Sequence, residues 1–398
     1  MINSEIYALL KGDGVTDDAL TIQALLDKGG HVYLPPPKAF YLIGQTLRIG
    51  SNTSLKLDRF TVIKLKAGSD CLMITNVRES ENISITGGIW DFNNKNQAPN
   101  PVFGIDTNNF TPYEEYSYFA ERYLGVAMRF FKIKHFFMTS LTIKDPVTFG
   151  FQMAAAEQFT VEDITFDYND GNPVPANMDG IHLDGDCRFG VVRNLKGACY
   201  DDLLALNADD FHLGPISNIE IDGIFAEKCH SAVRMLSARS PISHIHISNI
   251  YGTYFQYTVG LSKFYHFDGC RGFFDDIVLT NIFASKAPRD IPHFKDFPDV
   301  YPIVWVQSGL NVHNLHIQNL HRRESKIAVE AIGIEPDVNV KTLSLRDVSQ
   351  VNALDTKIPL LLNNGKIDKL FLSNVQADDD TVVHNNGEIR KIFSDENE

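Results

Sequence analysis

Apolar and polar residues alternate in short segments that recur along most of the chain. From Ile83 onward, each segment reads apolar, any residue, apolar, Asn or a small polar residue, then apolar. The last apolar residues of successive copies are Leu141, Ile164, Leu195, Ile224, Ile250, Ile282, Leu320, Val348 and Val375. Their spacing averages about 29 residues, as in a protein built from structural repeats. Alternation with a period of two is typical of strands, whereas helical repeats require the helical period.

The repeat favours a parallel β-helix, in which each turn lies about one strand spacing above the last. The consensus LxxLxLxxN of leucine-rich repeats is absent, and parallel crossovers are right-handed in most proteins. We therefore predict an all-β fold, a single-stranded right-handed parallel β-helix. An asparagine precedes the last apolar residue in five copies, at Asn194, Asn249, Asn281, Asn319 and Asn374. Asparagine tolerates left-handed backbone conformations, and stacked asparagine amides can hydrogen-bond along the turns.

Residues 1–50 are expected to form an N-terminal cap, because an open coil end would expose unpaired backbone. Thr16 is a candidate N-cap, and Asp17 and Asp18 follow it in the first turn of a short helix. The apolar side of this helix is predicted at Leu20, Ile22, Leu25 and Leu26. The cap and the repeats together predict a single domain that spans residues 1–398.

Two insertions interrupt the repeat, at residues 91–124 and 284–302. The first carries Phe103, Phe110, Tyr113, Tyr116, Tyr118, Phe119 and Tyr123, and the second carries His293, Phe294, Lys295, Phe297 and Tyr301. Long loops beside a regular scaffold are usually functional or disordered, and aromatic content argues against disorder. Both insertions are therefore expected either to wall a groove for sugars or to pack over one flank of the coil.

Composition narrows the set of partners. The hydrophobic content of 44% allows a large core, and the net charge of −14 with no Lys/Arg-rich run disfavours nucleic acid and anionic membranes. No stretch approaches 18 apolar residues, and the start lacks the pattern of a signal peptide. We expect a cytoplasmic protein as given, or a secreted one if a signal has been removed. Five scattered cysteines indicate buried free thiols rather than a disulfide framework.

Candidate chemistry is concentrated between Asn177 and Asp210. Two segments there can be laid over each other, NMDGIHLDG and YDDLLALNA, and each has a carboxylate just before a short apolar alternation. These are Asp179 in the first segment and Asp202 in the second, with Asp201 beside it. Strands of successive turns lie roughly 4.8 Å apart, so the three carboxylates are expected on one outer wall facing solvent. Carboxylates this close raise each other's pKa, which can make a general acid and a general base from one residue type.

The same register predicts two outward columns of side chains around these carboxylates. One column consists of Arg129, Gln152, His182, Ala205, Arg234 and Gly260, and the other of Phe149, Asp179, Asp202, Ser231 and Tyr257. His230 falls level with Asp201. The candidate substrate-binding residues are Arg129, Gln152, His182, His230, Arg234 and Lys263. An aspartate cluster could alternatively hold calcium, but we expect neither a metal nor a cofactor. Asp209 and Asp210 are interpreted as a solvated turn.

At these residues the chain resembles the polygalacturonase-type glycoside hydrolases (family 28) among the pectin-lyase-like β-helices. The opening GDGVTDD, NMDGIH, YDDLLALN and SAVRMLSA are similar to the superfamily's opening motif and to the family's N-T-D, D-D and R-I-K segments. The resemblance implies an inverting hydrolase. In it, Asp201 protonates the leaving oxygen, Asp179 and Asp202 activate a water, and Arg234 binds the substrate.

Two positions depart from the family pattern. Leu236 occupies the family's lysine position, and Lys263, one turn on, is a candidate replacement for that cation. The turn with the family's G-H-G motif is absent, and His230 is the nearby histidine. A pectin-like polysaccharide or oligosaccharide is the expected substrate, and a neutral glycan stays open. A polysaccharide lyase and a non-catalytic glycan-binding β-helix of the phage-tail or adhesin type are the alternatives, and the oligomeric state is left open.

Overall fold

The structure is a computed structural model of the 398-residue chain. It describes residues 2–101, 123–265, 267, 269–290, 300–378 and 381–395. All strands in these ranges belong to one parallel sheet, and most strands pair with the strand two or three places further along the chain. This connectivity is that of a parallel β-helix, so the predicted fold class is confirmed.

Two short helices and eight strands form the N-terminal part. The helices are α1 (Ile2–Tyr7) and α2 (Ala19–Leu26). The strands are β1 (Gly30–Leu34), β2 (Tyr41–Ile43), β3 (Leu47–Ile49), β4 (Thr53–Leu57), β5 (Val62–Leu65), β6 (Ile74–Asn76), β7 (Ser80–Thr86) and β8 (Ile89–Asp91), followed by a 3-10 turn at Asn94–Asn96.

Two long strands, β9 (Met128–Lys144) and β10 (Phe151–Asp167), each run around corners of the coil, after which two sets of strands alternate. The site set continues from the first residues of β9 and β10 through β11 (Ile181–Asp184), β13 (Asp202–Asn207), β15 (Ser231–Leu236), β17 (Val259–Ser262), β19 (Val304–Val306), β21 (Ile332–Ile334), β23 (Leu361–Asn363) and β25 (Val383–Asn385). The ladder set contains β12 (Arg188–Gly197), β14 (Ile216–Cys229), β16 (Ile242–Tyr254), β18 (Gly272–Lys286), β20 (Leu310–Glu324), β22 (Asn339–Asn352), β24 (Lys366–Ala377) and β26 (Glu388–Ser394).

The predicted repeat matches the strand register. Each of the nine repeat positions from Leu141 to Val375 is paired, in the strand register, with the repeat position of the adjacent turn. The five predicted asparagines have left-handed φ values between 49° and 59°. Asn281 donates to Asn249 at 3.0 Å, and Asn319 donates to Asn281 at 2.7 Å. We call these three residues the asparagine ladder.

The N-terminal cap is shorter than predicted. Because β1 already pairs with β4, the coil begins at Gly30 rather than after residue 50. The N-cap of α2 is Asp18 rather than Thr16, and its carboxylate accepts from the amides of Lys11 and Gly12. Ile22, Leu25 and Leu26 are buried as expected, whereas Leu20 is 75% exposed because it lies on the opposite side of the helix.

The inside of the coil is filled by one continuous apolar cluster that includes Ile181, Leu183, Leu204 and Val233. A second apolar cluster lies apart from it and consists of Leu124, Val126, Phe131, Phe149, Ala154 and Phe211. Three of the predicted buried thiols, Cys187, Cys199 and Cys229, are buried, and Cys71 and Cys270 are partly exposed. Within the described residues, neither helix is long and apolar enough to cross a bilayer.

Candidate active site

The strand pairing joins the predicted outward column in register. Gln152 pairs with Arg129 on one side and with His182 on the other. Ala205 then pairs with His182 and Arg234, and Arg234 pairs with Gly260. Asp202 pairs with Ser231, which places His230 level with Asp201 as expected.

The predicted exposure of this wall is wrong. Asp179, Asp202, His182, Gln152 and Arg129 are all at most 2% exposed. Along each strand these residues alternate with the residues of the inner core, so their side chains lie on the outside of the coil. Other side chains cover them there. The Phe149 ring stacks on His182 with its centroid 4.1 Å away, and Phe211 meets the imidazole edge-on at 5.6 Å. The second apolar cluster therefore closes the outer wall over these groups.

Asp202 is held by three neighbours from later turns. Its Oδ2 lies 2.8 Å from Nε of Arg234 in an ion pair. Its Oδ1 accepts from the hydroxyl of Ser231 and, at 3.2 Å, from that of Tyr257. Although burial alone would lower it, the Asp202 carboxylate raises the pKa of Arg234 above its usual range. Arg234 is therefore a permanent cation in this site.

Asp179 has one partner in its own turn and one in the next turn. Its Oδ1 accepts from the backbone amide of Asp202 at 3.2 Å, and its Oδ2 lies 2.5 Å from Nδ1 of His182. Burial raises the pKa of Asp179, while His182 opposes this. Burial lowers the pKa of His182, but Asp184 and Asp179 outweigh it and raise that pKa well above the usual histidine range. His182 is therefore an imidazolium that balances part of the carboxylate charge.

A buried polar network continues behind His182. Its Nε2 lies 3.2 Å from Oδ1 of Asp184 and 3.5 Å from Oδ2 of Asp210. Gln152 donates to Asp184 at 2.9 Å and accepts from Arg129 at the same distance. The predicted binding residues Arg129 and Gln152 therefore contact this network rather than an open groove.

Asp201 differs from the other two carboxylates because 22% of its side chain is exposed. Burial raises the pKa of Asp201 well above its usual range, and the carboxylates of Asp179 and Asp202 raise it further, against the opposing charges of Arg234 and His182. Nδ1 of His230 lies 3.5 Å from its Oδ1. Asp201 is thus a carboxyl group with a raised pKa and a partly exposed side chain, and the carboxyl groups of Asp179 and Asp202 are buried beside it.

Lys263 does not occupy the position of a replacement cation. Leu236 pairs with Ser262, so Lys263 lies one residue further along the chain. Its ammonium donates to the carbonyl of Cys270 at 2.7 Å. The one-residue offset turns this side chain toward the loop after β17.

The interpretation of Asp209 and Asp210 as a solvated turn is also wrong, because both are buried. Oδ2 of Asp209 accepts from the amides of residues 238, 239 and 240. Asp210 accepts from Asn207 at 3.1 Å and from the hydroxyl of Tyr265 at 2.9 Å. In the sequence, two aspartates after a strand give no indication that they are buried. The one signal is Asn207 at the end of the strand, a polar residue that can donate to Asp210.

Tyr257 was placed in the correct column but not recognised as a site residue. It contacts Asp202 directly, and its ring stacks on Trp305 with centroids 5.3 Å apart. Most of the aromatic residues predicted to wall a groove, in residues 102–122 and 291–299, lie outside the described residues. Two of the aromatic residues of the insertions are described. The Tyr123 hydroxyl donates to the carbonyl of Ala98, and the ring centroids of Tyr301 and Trp305 lie 4.3 Å apart.

Two sets of donor atoms among the described residues have the spacing of metal ligands. One set is His182, Asp184 and Asp210, and the other is Asp201, Asp202 and His230, with the atoms of each set within 4.8 Å of one another. In the first set the imidazolium of His182 already supplies positive charge to both carboxylates. In the second, Arg234 supplies it to Asp202.

No protein-family model matches the sequence, and the comparison with curated protein sequences finds no match. Solved structures do share the fold. An endo-xylogalacturonan hydrolase from Aspergillus tubingensis superposes with a TM-score of 0.63 at 13% identity, over 95% of this chain and 98% of that one. A family 28 exopolygalacturonase from Yersinia enterocolitica gives 0.53 at 15% identity, over 97% and 76% of the two chains.

The A-module of the mannuronan C-5 epimerase AlgE4 from Azotobacter vinelandii gives a TM-score of 0.54 at 14% identity, over 97% of this chain and 96% of that one. Identities at this level establish a shared fold and not a shared activity. The chain therefore shares the parallel β-helix fold of these proteins, and membership of family 28 stays a prediction.

Proposed function

We propose that this protein is a glycoside hydrolase that cleaves a polysaccharide or oligosaccharide, with Asp201 as the general acid. The observation that carries the proposal is the pairing of one raised-pKa, solvent-accessible carboxyl with two buried carboxylates. Glycoside hydrolysis requires a protonated carboxyl beside the leaving oxygen and a carboxylate that assists attack. Environments that push the pKa values of neighbouring carboxyl groups apart are how such roles are divided.

Asp202 and Asp179 are the candidate groups for activating the attacking water. Both oxygens of Asp202 have partners, and the Tyr257 hydroxyl, at 3.2 Å, is among them. A water would reach Asp202 by taking the place of that hydroxyl, while Arg234 stays paired with the carboxylate. Inversion of configuration at the sugar is what the family resemblance implies, and it is part of the proposal.

The geometry favours a hydrolase over a lyase. A lyase on this fold would use Arg234 or a lysine as its base. Arg234 is held charged by Asp202, and a cation held in this way is a poor proton acceptor. The ammonium of Lys263 is engaged with the Cys270 carbonyl, away from the acidic cluster.

A panel of plant and microbial glycans, assayed for new reducing ends, tests the proposal. Wild type should release reducing ends from at least one glycan, and Asp201→Asn should lower the rate by roughly 10²–10⁴-fold. The matched control is Asp347→Asn, because Asp347 occupies a turn position in β22 where asparagine is the usual residue.

Three outcomes would contradict the proposal. An unsaturated product that absorbs in the ultraviolet would identify a lyase. Binding of a glycan without turnover would identify a glycan-binding protein. Equal rates for wild type and Asp201→Asn would remove Asp201 from the acid role.

A further inference from the structure

Four buried polar side chains meet at Nε2 of His182, behind the three carboxyl groups of the candidate active site. Oδ1 of Asp184 lies 3.2 Å from this nitrogen, and Oδ2 of Asp210 lies 3.5 Å from it. The side-chain amide of Asn207 lies 3.1 Å from the same nitrogen and 3.1 Å from Oδ2 of Asp210. None of the four side chains is more than 3% exposed. We call His182, Asp184, Asn207 and Asp210 the His182 cluster.

The distances within the cluster are those between the ligands of a tetrahedral metal ion. Bonds of about 2.0–2.2 Å to zinc place the ligand atoms roughly 3.3–3.6 Å from one another. The measured distances from Nε2 of His182 are 3.1, 3.2 and 3.5 Å, and the donor atoms of His182, Asp184 and Asp210 all lie within 4.8 Å of one another. An ion bound directly by these atoms takes the place of the protons between them, so it needs no cavity the size of a water molecule.

The side chain of Asn207 points into this cluster with one of its two polar atoms unpartnered. Among the described residues, its buried Oδ1 has no hydrogen-bond partner. A buried amide oxygen without a partner is costly. The oxygen and nitrogen of a carboxamide exchange places when the group rotates by half a turn. After that rotation, Oδ1 faces Nε2 of His182 and Oδ2 of Asp210, where it can serve as a fourth metal ligand.

The ligand side chains are held in place from behind. The other imidazole nitrogen, Nδ1, lies 2.5 Å from Oδ2 of Asp179. Gln152 donates to Oδ2 of Asp184 at 2.9 Å. The Tyr265 hydroxyl donates to Oδ1 of Asp210 at 2.9 Å. A histidine that binds a metal usually donates its second N–H to a carboxylate, and carboxylates that bind a metal are themselves hydrogen-bonded, so this arrangement is typical of a metal site.

The charge and the type of the donors favour zinc. A single imidazolium contacts three carboxylates, those of Asp179, Asp184 and Asp210. With a neutral imidazole, the carboxylates of Asp184 and Asp210 carry the two negative charges that balance a divalent cation. Calcium takes about six to eight oxygen ligands, whereas four ligands that include an imidazole nitrogen suit zinc. Four protein ligands leave no open position, as in structural rather than catalytic zinc sites.

We propose that the His182 cluster is a structural zinc site. The zinc ion takes the place of the Nε2 proton of His182, which is released to solvent as the metal binds. The Nδ1 proton stays on the imidazole and continues to donate to Asp179. The metal thereby fixes the orientation of His182 and, through it, that of the Asp179 carboxylate. This site does not depend on the glycosidase function proposed above.

Metal content tests the proposal. Because the ligands are buried, Zn²⁺ or Co²⁺ is supplied in the growth medium while the chain folds, and loosely bound metal is then removed with a chelator. Wild type should retain about one metal ion per chain, and the cobalt protein should show the visible absorption of tetrahedral Co²⁺. Asp210→Asn should retain at least roughly 10-fold less metal. Asp186→Asn is the matched control, because the Asp186 side chain is 48% exposed and also lies 3.1 Å from a histidine, His212.

Thermal unfolding provides a second measurement. A metal that binds the folded chain stabilises it, so wild type grown with zinc should unfold at a higher temperature than wild type grown in metal-depleted medium. Asp210→Asn should show no such difference. Metal-free wild type from both media, an octahedral cobalt spectrum, or equal metal retention in Asp210→Asn and Asp186→Asn would overturn the site. If Asp210→Asn does not fold, the metal content and the cobalt spectrum of wild type decide the question.

Discussion

Two stacks of polar side chains lie on successive turns of the same coil and are built differently. In the asparagine ladder, Asn249, Asn281 and Asn319 repeat one residue in one backbone conformation, and each amide is satisfied by the next. In the acidic cluster, two successive aspartates, Asp179 and Asp202, are followed by Ser231 at the next turn, and each carboxylate has a different set of partners. Arg234 is paired with Asp202, His182 is paired with Asp179, and the pKa of Asp201 is raised well above its usual range.

The difference shows what each stack contributes. A repeated column is stabilised largely by hydrogen bonds between its own members, as between Asn249, Asn281 and Asn319, so it specifies the fold. A column that does not repeat needs partners from other elements, such as Phe149, Phe211 and Tyr257. Its charged side chains are not needed to form the coil. Departures from a regular pattern are expected at functional sites. We therefore expect substitutions in the two stacks to affect stability and activity in different proportions.

The largest effect on stability is expected from Arg234→Met. The change leaves the fully buried Asp202 carboxylate without its cation, and removal of one partner from a buried pair costs roughly 3–5 kcal/mol. Arg239→Met is the control, because Arg239 is 45% exposed and Asp209 keeps its backbone donors. An exposed pair contributes about 0–1 kcal/mol. Chemical denaturation should show the difference, and equal losses for the two variants would mean that the Asp202 pair is not buried in solution.

A smaller effect is expected from Asn281→Ala in the ladder. This variant loses the hydrogen bonds to Asn249 and from Asn319. Asn218→Ala is the control, since Asn218 also has a left-handed φ, of 57°, but lies outside the ladder. The two bonds should make Asn281→Ala less stable than Asn218→Ala by about 1–2 kcal/mol. Glycan cleavage should not change in either variant. A loss of activity in Asn281→Ala would contradict the expectation that the asparagine ladder contributes to stability and not to activity.

The smallest effect is a pH dependence of stability. The pKa of Asp201 is raised on folding above its ordinary value of 3.8, so the folded state binds more protons there than the unfolded state. Stability from this group is present below the ordinary value and is lost as pH rises toward the folded pKa. The melting temperature of Asp201→Asn minus that of wild type should therefore increase with pH above 3.8. A difference that stays constant or decreases would contradict the raised pKa.

Much of the scaffold could be predicted from the sequence because the pattern is local. Period-two alternation, with an asparagine before five of the nine repeat positions, indicates where the turns bend, so the register of these positions follows from counting. The same counting placed Asp179, Asp202 and Arg234 on neighbouring strands. The predicted position of Lys263 is wrong by one residue, because Ser262 pairs with Leu236 and the strand ends there. Beyond the end of a strand, the register no longer constrains the chain.

The surroundings of the site could not be predicted because they depend on contacts between distant segments. Phe211 comes from the turn after β13 and covers His182, and nothing in its local sequence distinguishes it from an exposed turn residue. Asp210 reads as a loop aspartate until Tyr265, from a later turn, is placed against it. Register defines a column, but only the fold of the loops determines whether that column faces solvent.

The central claim is that burial and the neighbouring carboxylates of Asp179 and Asp202 raise the pKa of Asp201 well above its ordinary value. An infrared titration of protonated carboxyl groups, compared between wild type and Asp201→Asn, measures this without a substrate. We expect wild type to show a carboxyl that loses its proton well above the ordinary aspartate value of 3.8 and that is missing from the variant. Identical titrations of the two proteins above that value would contradict the assignment of Asp201 as the acid.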